Sequence, residues 1–372
     1  MLRPRVKSEH RPVRRADGLV RIGGSVTGIA AELPDPDGSV WTLLTAMDGG
    51  RTMDEVVAEV VRQCPHRTAA DVRLAIRQLA QAGHLEEADE SVPNGLTARE
   101  RERYGRGRAL FRWMDLTPRL SAWDAQLRLR QSRVVLIGLG GVGCTTALAL
   151  AGSGVGHLHC VEPDFVELSN LNRQALYTEA DIGHPKIEVA LARLRAHNSD
   201  ITVTGERTRI DGPAALRELA GRAEVLVLAA DEPAEIRSWA NRACLATGTA
   251  WTHGGYHGPQ VSFGVYRPDG GPCHDCVLTA RRCRDATHPW TPLPVGAQVH
   301  AANAVSAGLA GQFVAHAALS LLTGVPALPV NRRYALNLVT LEHLALPGPR
   351  RRRPDCPACG NGAPDCSVAS MR

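Results

Sequence analysis

The spacing of apolar and polar positions changes character along the chain. From Leu19, two short apolar runs, LVRI and VTGIAAEL, flank Gly23-Gly24 and predict a pair of strands. SVWTLLTAM then predicts a helix with Ser39 at its N-cap and a stop at Asp48-Gly49-Gly50. In TMDEVVAEVV, Thr52 and Glu55 stand in capping-box positions at the head of a second helix. AADVRLAIRQLAQAG sets Val72, Ile76 and Leu79 on one face of a third helix, which ends at Gly83, and HLEEA closes the region as a strand. This order predicts a small winged-helix-like module over residues 18–90. Residues 91–130 show little periodicity beyond the Arg-rich, partly helical ERERYGRGRALFRWM, and read as a linker. From Ser132 to about Leu341, the runs VVLIG, HLHCVE, ITVTGE and EVLVLAA alternate with helical stretches. That alternation predicts α/β units around a mostly parallel, Rossmann-like sheet over 131–372. QVSFGVY adds a strand in an antiparallel extension, and AANAVSAGLAGQFVAHAALSLLTG a long buried helix.

Composition narrows this picture. The chain has 372 residues, enough for two or three domains with a core that needs no covalent staple. Apolar residues make up 44% but aromatics only 4%, so the core must be Val, Leu and Ala. The net charge of +5 sits in local runs, Arg3–Arg15 and Arg350–Arg353, which read as solvated segments; residues 1–17 predict a disordered basic tail. Few aromatics interleave with the basic residues, and the 69–82 helix offers only Arg73 and Arg77, which argues against nucleic acid as a partner. No apolar run approaches a membrane span, and MLRPRVKSEHRPVRR lacks the apolar stretch of a secretory signal, so the expectation is a cytoplasmic chain with no membrane partner. Ten cysteines in that setting point to metal ligands or simple burial rather than disulfides.

The chemistry concentrates in VVLIGLGGVGCTTALALAGSGVGHLHCVEPDFVELSNLNRQ. In its turn, Gly138 permits a tight bend, Gly140 and Gly141 let backbone approach phosphate, and Gly143 lets the helix pack on the strand. The helix N-terminus presents N–H groups to an anion. Glu162 closes the second strand, where an acid binds ribose, with Asp164 two residues on. These residues alone would serve NAD and a dehydrogenase. Asn170 and Arg173 just beyond, Lys186 at the head of a helix and Asp231 at a strand end fit NAD poorly. They fit a nucleoside triphosphate attacked at its α-phosphate, whose leaving pyrophosphate needs electrostatic stabilisation.

In the order GLGGVG, E-x-D-x-V-x-x-S-N-L-N-R-Q, P-K and strand-end Asp, residues 100–345 resemble the ubiquitin-activating-like adenylyltransferases, which include the sulfur-carrier activators of molybdopterin and thiamine synthesis. The resemblance implies ATP with Mg²⁺ as cofactors: Glu162 on the ribose, where the family more often has Asp, Asn170, Arg173 and Lys186 on the triphosphate, and Asp231 on the magnesium. It also implies that Arg106, in R-Y-G-R, reaches across a homodimer into the partner's site, so that 91–130 serves as a dimer-crossing arm.

Cys273-His-Asp-Cys276 and Cys356-Pro-Ala-Cys359 are two C-x₂-C pairs that together suit a saturated, structural zinc site. Neither has the βαβ context of a redox pair. Cys283, between arginines in the loop RRCRDATHPW, reads as a spare thiol, with a thioester-forming Cys as the alternative.

The stretch A-D-E-P-x₅-W-A-N-R-A-C, then H-G-G-Y and V-S-F-G, resembles the microcin-C type of peptide-adenylating enzyme, and 18–90 resembles the leader-recognition element of ribosomal-peptide maturation, similar to the PQQ-synthesis peptide chaperone. This implies a precursor peptide as partner, its leader paired with a strand edge, with a downstream modifying enzyme as a further possible partner. His253, Tyr256 and Asn303 then fall where relatives line the substrate pocket. Two alternatives stay open: a non-catalytic peptide-delivery protein and a sulfur-carrier adenylyltransferase.

Overall fold

The computed structural model describes residues 1–89, 94–117, 121–287 and 301–360. Contacts divide the chain into one unit of Met1–Arg128 with Val325–Ala327, and another of Leu129–Gly324 with Leu328–Arg372.

In the first unit, β1 (Pro4–Val6), β2 (Val13–Arg14), β3 (Leu19–Ile22) and β4 (Ala31–Pro34) precede α1 (Ser39–Ala46), α2 (Met53–Gln63) and α3 (Ala69–Gln81). Then come β5 (Leu85–Glu87), α4 (Ala98–Met114) and α5 (Asp124–Gln131), the last running into the second unit. Strands β2, β3 and β4 form one antiparallel sheet, and β1 pairs with β5. Val20, Ile22, Leu43, Val56, Val60, Val72 and Ile76 make one buried core, which is the apolar pattern of the sequence turned inward. The Thr52–Glu55 capping box forms as expected.

Two expectations fail here. Residues 1–17 are not a disordered tail: Pro4–Val6 pairs with Leu85–Glu87, and Arg112 bridges Glu9 and Glu86. The basic residues that suggested solvation have acidic partners distant in sequence. Ser39 does not cap α1. Gly38 is the N-cap, at φ +75°, and the buried Asp35 carboxylate accepts from the Val40 and Trp41 N–H groups. Within 91–130, α4 runs 17 residues behind a Thr97–Glu100 capping box.

The second unit holds an eight-stranded sheet. Its elements are β6 (Arg133–Ile137), α6 (Gly141–Gly152), β7 (His157–Val161), α7 (Lys186–His197), β8 (Thr202–Glu206), α8 (Pro213–Ala220), β9 (Val225–Leu228) and α9 (Ile236–Thr247). They continue through β10 (Ala250–His257), β11 (Gln260–Tyr266), α10 (His274–Thr287), α11 (Ala304–Thr323), β12 (Arg332–Asn337) and β13 (His343–Leu346). Strands β8, β7, β6, β9 and β10 run parallel; β11, β12 and β13 extend the sheet antiparallel. The mixed α/β class and mostly parallel sheet are those the sequence predicts.

α11 is long and apolar enough to cross a membrane, against the sequence expectation. Here it is a core helix, packed on α6, β10 and β11 with Ala307, Ala310, Val314 and Ala318 buried. The run Arg350–Arg353 is also not simply solvated, since Arg353 is buried in an ion pair with Asp355.

Candidate active site

Strand β6 ends in the glycine turn, and its geometry requires the glycines. Gly138 has φ +92°, and a Cβ there would stand 2.9 Å from the Ala229 carbonyl. A Cβ on Gly143 would overlap the Gly138 carbonyl oxygen. Gly140 caps α6 with no side chain over the helix end, so the first N–H groups of α6 are left for a ligand. Glu162, buried at the end of β7, accepts from Leu139 N at 2.5 Å and from Asp164 N at 3.0 Å. It therefore braces the turn in addition to facing the cavity, a role that suits its extra methylene over Asp.

The turn opens on a cavity of about 810 Å³. Gly138, Gly140, Gly141, Glu162, Asp164, Asn170, Arg173, Lys186, Asp231, His253 and Tyr256 all line it. Asn170 is buried and accepts from Glu167 N at 3.1 Å. Arg173 donates to the Ser169 carbonyl at 3.0 Å and lies beside Tyr256. The Lys186 ammonium, buried on the first turn of α7, sits 3.4 Å from Asp164. Asp231, just past β9, is exposed. One cavity thus holds an uncapped helix end, an amide, two cations and an exposed carboxylate, the parts needed to bind a triphosphate and direct an attack at it.

Gly143 does not line the cavity, because its role is packing. Asn303 does not line it either: its side chain caps α11 through Ser306 N at 2.9 Å. Arg106 is exposed on α4. Cys283 lies buried on α10, not in a loop, and is disulfide-bonded, so it is not a spare thiol.

The sequence reading missed several lining residues, among them Arg237, His274, Arg281 and Arg333. It also missed β10 itself. Gly254 and Gly255 weaken the strand pattern, yet a Cβ on Gly254 would overlap Val314 of α11. A glycine within a strand that marks close approach of another element was the available signal. The His253 and His274 rings lie 5.0 Å apart and pack among Trp251 and Tyr266. Burial holds the His253 imidazole well below its ordinary pKa and takes His274 down to about 3.

Cys273, Cys276, Cys356 and Cys359 meet with sulfur atoms within 4.8 Å of one another. Separations of 3.8, 3.6 and 3.4 Å between pairs approach the ~3.8 Å edge of a tetrahedron with ~2.3 Å metal–sulfur bonds. Asn241 donates to Cys273 and Arg353 N to Cys276, each at 3.4 Å. The cluster can hold one tetrahedral metal ion.

The ThiF family model matches residues 115–358 of this chain. The chain belongs to the ThiF family. The sulfur carrier protein ThiS adenylyltransferase of Escherichia coli is 36% identical over 253 residues, covering 66% of this chain and 92% of that relative. Adenylyltransferase and sulfurtransferase MOCS3 of Arabidopsis thaliana is 36% identical over 172 residues; the match takes in 44% of this chain and only 37% of that protein's length. Among solved structures, E. coli MccB superposes with a TM-score of 0.77 at 20% identity, over 96% of this chain and 97% of its own, a likeness of fold. The family match and its relatives' names support adenylyltransferase activity for this ThiF-family chain, and ATP binding is a family expectation.

Proposed function

We propose that this ThiF-family protein uses ATP to adenylate the C-terminal carboxylate of a ribosomally made precursor peptide, and that residues 18–90 hold the peptide's leader. The observation that carries the reading is the convergence of the glycine turn, Asn170, Arg173, Lys186 and Asp231 on one cavity. The triphosphate lies against the N–H groups of the α6 N-terminus, with Glu162 reaching the ribose. Arg173 and Lys186 exchange their protein partners for phosphate oxygens and stabilise charge as it moves to pyrophosphate. No base is required, because a carboxylate is already the nucleophile at neutral pH. Asp231 is exposed on the cavity wall, with Glu232 adjoining, and suits Mg²⁺, which takes one or two carboxylates and keeps waters and phosphates. Bound there, the ion would neutralise phosphate charge. The four-thiol cluster suits zinc in a structural role, since a saturated Cys₄ site has no open position.

Two features support a peptide over a folded carrier. MccB, the structure whose likeness runs along 96% of this chain, has been solved with ATP and with N-formylated MccA. In the first unit, the sheet has β4 at one edge, and α3 exposes Leu74 at 48%. A free strand edge is what an extended peptide needs in order to add as a further strand. The second reading, a sulfur-carrier adenylyltransferase, draws on the name of the E. coli relative at 36% identity.

ATP–pyrophosphate exchange decides between them. Exchange driven by a leader-bearing peptide supports the proposal, and exchange driven only by a small sulfur-carrier protein selects the second reading. Tight leader binding without exchange by any candidate would mark a delivery protein. Lys186→Ala and Asp231→Ala should each lower exchange by roughly a hundredfold or more and leave leader binding intact. If Arg106 acts across a homodimer, Arg106→Ala and Lys186→Ala chains, each inactive alone, should regain activity when mixed.

A further inference from the structure

Part of the cavity wall is an unusually bare stretch of sheet edged by two arginines. Cα partners run His253–Gly264 between β10 and β11, and Gly264–Arg333 between β11 and β12, so these three residues form a row on one face. The next row on that face is Gly255–Ser262. Gly255 and Ser262 leave the floor low, and over Gly264 the Tyr266 and His253 rings close in. A Cβ on Gly264 would stand 2.7 Å from His253 Nε2, and one on Gly255 would stand 3.9 Å from the Arg237 guanidinium. Arg333 from β12 and Arg237 from the first turn of α9 thus border this floor, and both line the cavity.

These guanidinium groups differ from the other cations of the site. Lys186 and Arg209 pair with Asp164, Arg281 pairs with Asp285, and Arg173 donates to Ser169 and Asn172. Among the described residues, Arg237 and Arg333 form no side-chain hydrogen bond or ion pair, and Arg333 Nε is buried without a partner. Burial pulls Arg237 below its ordinary pKa; Asp231 opposes this and Arg333 adds to it. Two half-buried like charges, one with a buried donor that lacks an acceptor, are unfavourable unless an anion joins them. Paired guanidinium forks match the planar oxygens of a carboxylate.

The triphosphate already has the helix end, Asn170, Arg173 and Lys186. The attacking carboxylate is a poor candidate too, since two guanidinium groups would occupy the lone pairs that must reach phosphorus. We propose that Arg237 and Arg333 form a subsite for a second carboxylate, an acidic side chain at the end of the peptide that is adenylated. The substrate is then a peptide with an Asp or Glu at or beside its C-terminus. The inference rests on the adenylation reading only for the identity of the ligand, so binding is measured without ATP.

Calorimetric titration of the full chain with acetyl-Gly-Gly-Glu and acetyl-Gly-Gly-Gln is the test. The Glu peptide should bind at least tenfold more tightly. Arg237→Gln and Arg333→Gln should each remove that preference, Arg→Lys at the same positions should keep part of it, and unaltered ATP·Mg²⁺ binding reports that the variants fold. Equal binding of the two peptides, no measurable binding of either at millimolar concentration, or a preference that survives both Gln variants overturns the subsite. So does an equal loss of both peptides in the variants, which would place the main-chain carboxylate there. Failure of the adenylation reading shows separately, as absence of pyrophosphate exchange while the Glu preference persists.

Discussion

The glycine turn and the four-thiol cluster lie in the same unit and are built on opposite principles. The turn draws on residues close in sequence, Gly138 to Gly143 with Glu162, and its bend is fixed by Gly138 N–H on the Val161 carbonyl and Leu139 N–H on Glu162, while the first N–H groups of α6 stay open. The cluster joins two pairs about 80 residues apart. Its sulfurs accept hydrogen bonds from Asn241 and from Arg353 N. The turn therefore keeps its shape before any ligand arrives, whereas the cluster would take its stability from a bound ion. Without metal, the hydrogen bond with Cys276 and burial hold the Cys273 thiol above its usual range, and burial pushes Cys359 up to about 12. Metal binding must displace those protons.

The largest effect that would break this contrast lies at the cluster. Removing the metal with a strong chelator, or replacing Cys276 by Ser, should lower stability by about 4 kcal/mol or more, as loss of a structural metal does. Melting and proteolysis near residues 352–360 would register it. An unchanged melting temperature after complete metal removal would show the cluster to be as self-sufficient as the turn.

Gly143→Ala tests the turn itself. Its methyl would overlap the Gly138 carbonyl, a contact between backbone atoms that no rotamer relieves. A cost of about 1–3 kcal/mol is the range for overpacking, and ATP binding should fall with it because the α6 N-terminus must shift. Denaturant unfolding beside nucleotide titration separates the two. Stability lost with ATP affinity unchanged would mean the turn does not position phosphate.

The same contrast explains what the sequence revealed. The turn, the βαβ alternation and the three helices of the first unit depend on neighbours in sequence, so spacing alone displayed them. Each C-x₂-C pair was equally local, and two pairs had few other uses. Arg333 was invisible because the β10–β11–β12 register sets its place beside His253, and Arg237 because it reaches the same cavity from a different element, α9. Asn303 misled for the converse reason: an Asn before an apolar helix serves as a cap whether or not a pocket is near. The order within residues 1–17 came from partners about 80 to 100 positions away, Glu86 and Arg112 among them, which composition cannot show.

Glu162→Gln sharpens the contrast on a smaller scale. Both carboxylate oxygens accept backbone N–H groups; an amide can accept only one and must face the other with its NH₂. A loss of about 1–3 kcal/mol follows from leaving a buried donor unmatched. Glu162→Asp, by contrast, keeps the charge and loses reach.

The smallest effect belongs to Asp164→Asn. The carboxylate is 53% exposed and sits 3.4 Å from Lys186 and 3.7 Å from Arg209. The exposed Arg209 pair contributes about 0–1 kcal/mol, and Lys186, though buried, opens on the cavity, so the melting temperature should move little. The pairing nonetheless competes with ATP for the Lys186 ammonium. If Lys186 must leave Asp164 to reach phosphate, the variant should bind ATP as tightly as the natural chain or more so, with a weaker dependence on salt at low ionic strength. If Asp164 instead aims the ammonium at the phosphates, affinity should fall while stability stays put. Either result assigns Lys186 to the turn's preformed machinery or to a group recruited by the ligand, as the thiols are by their metal.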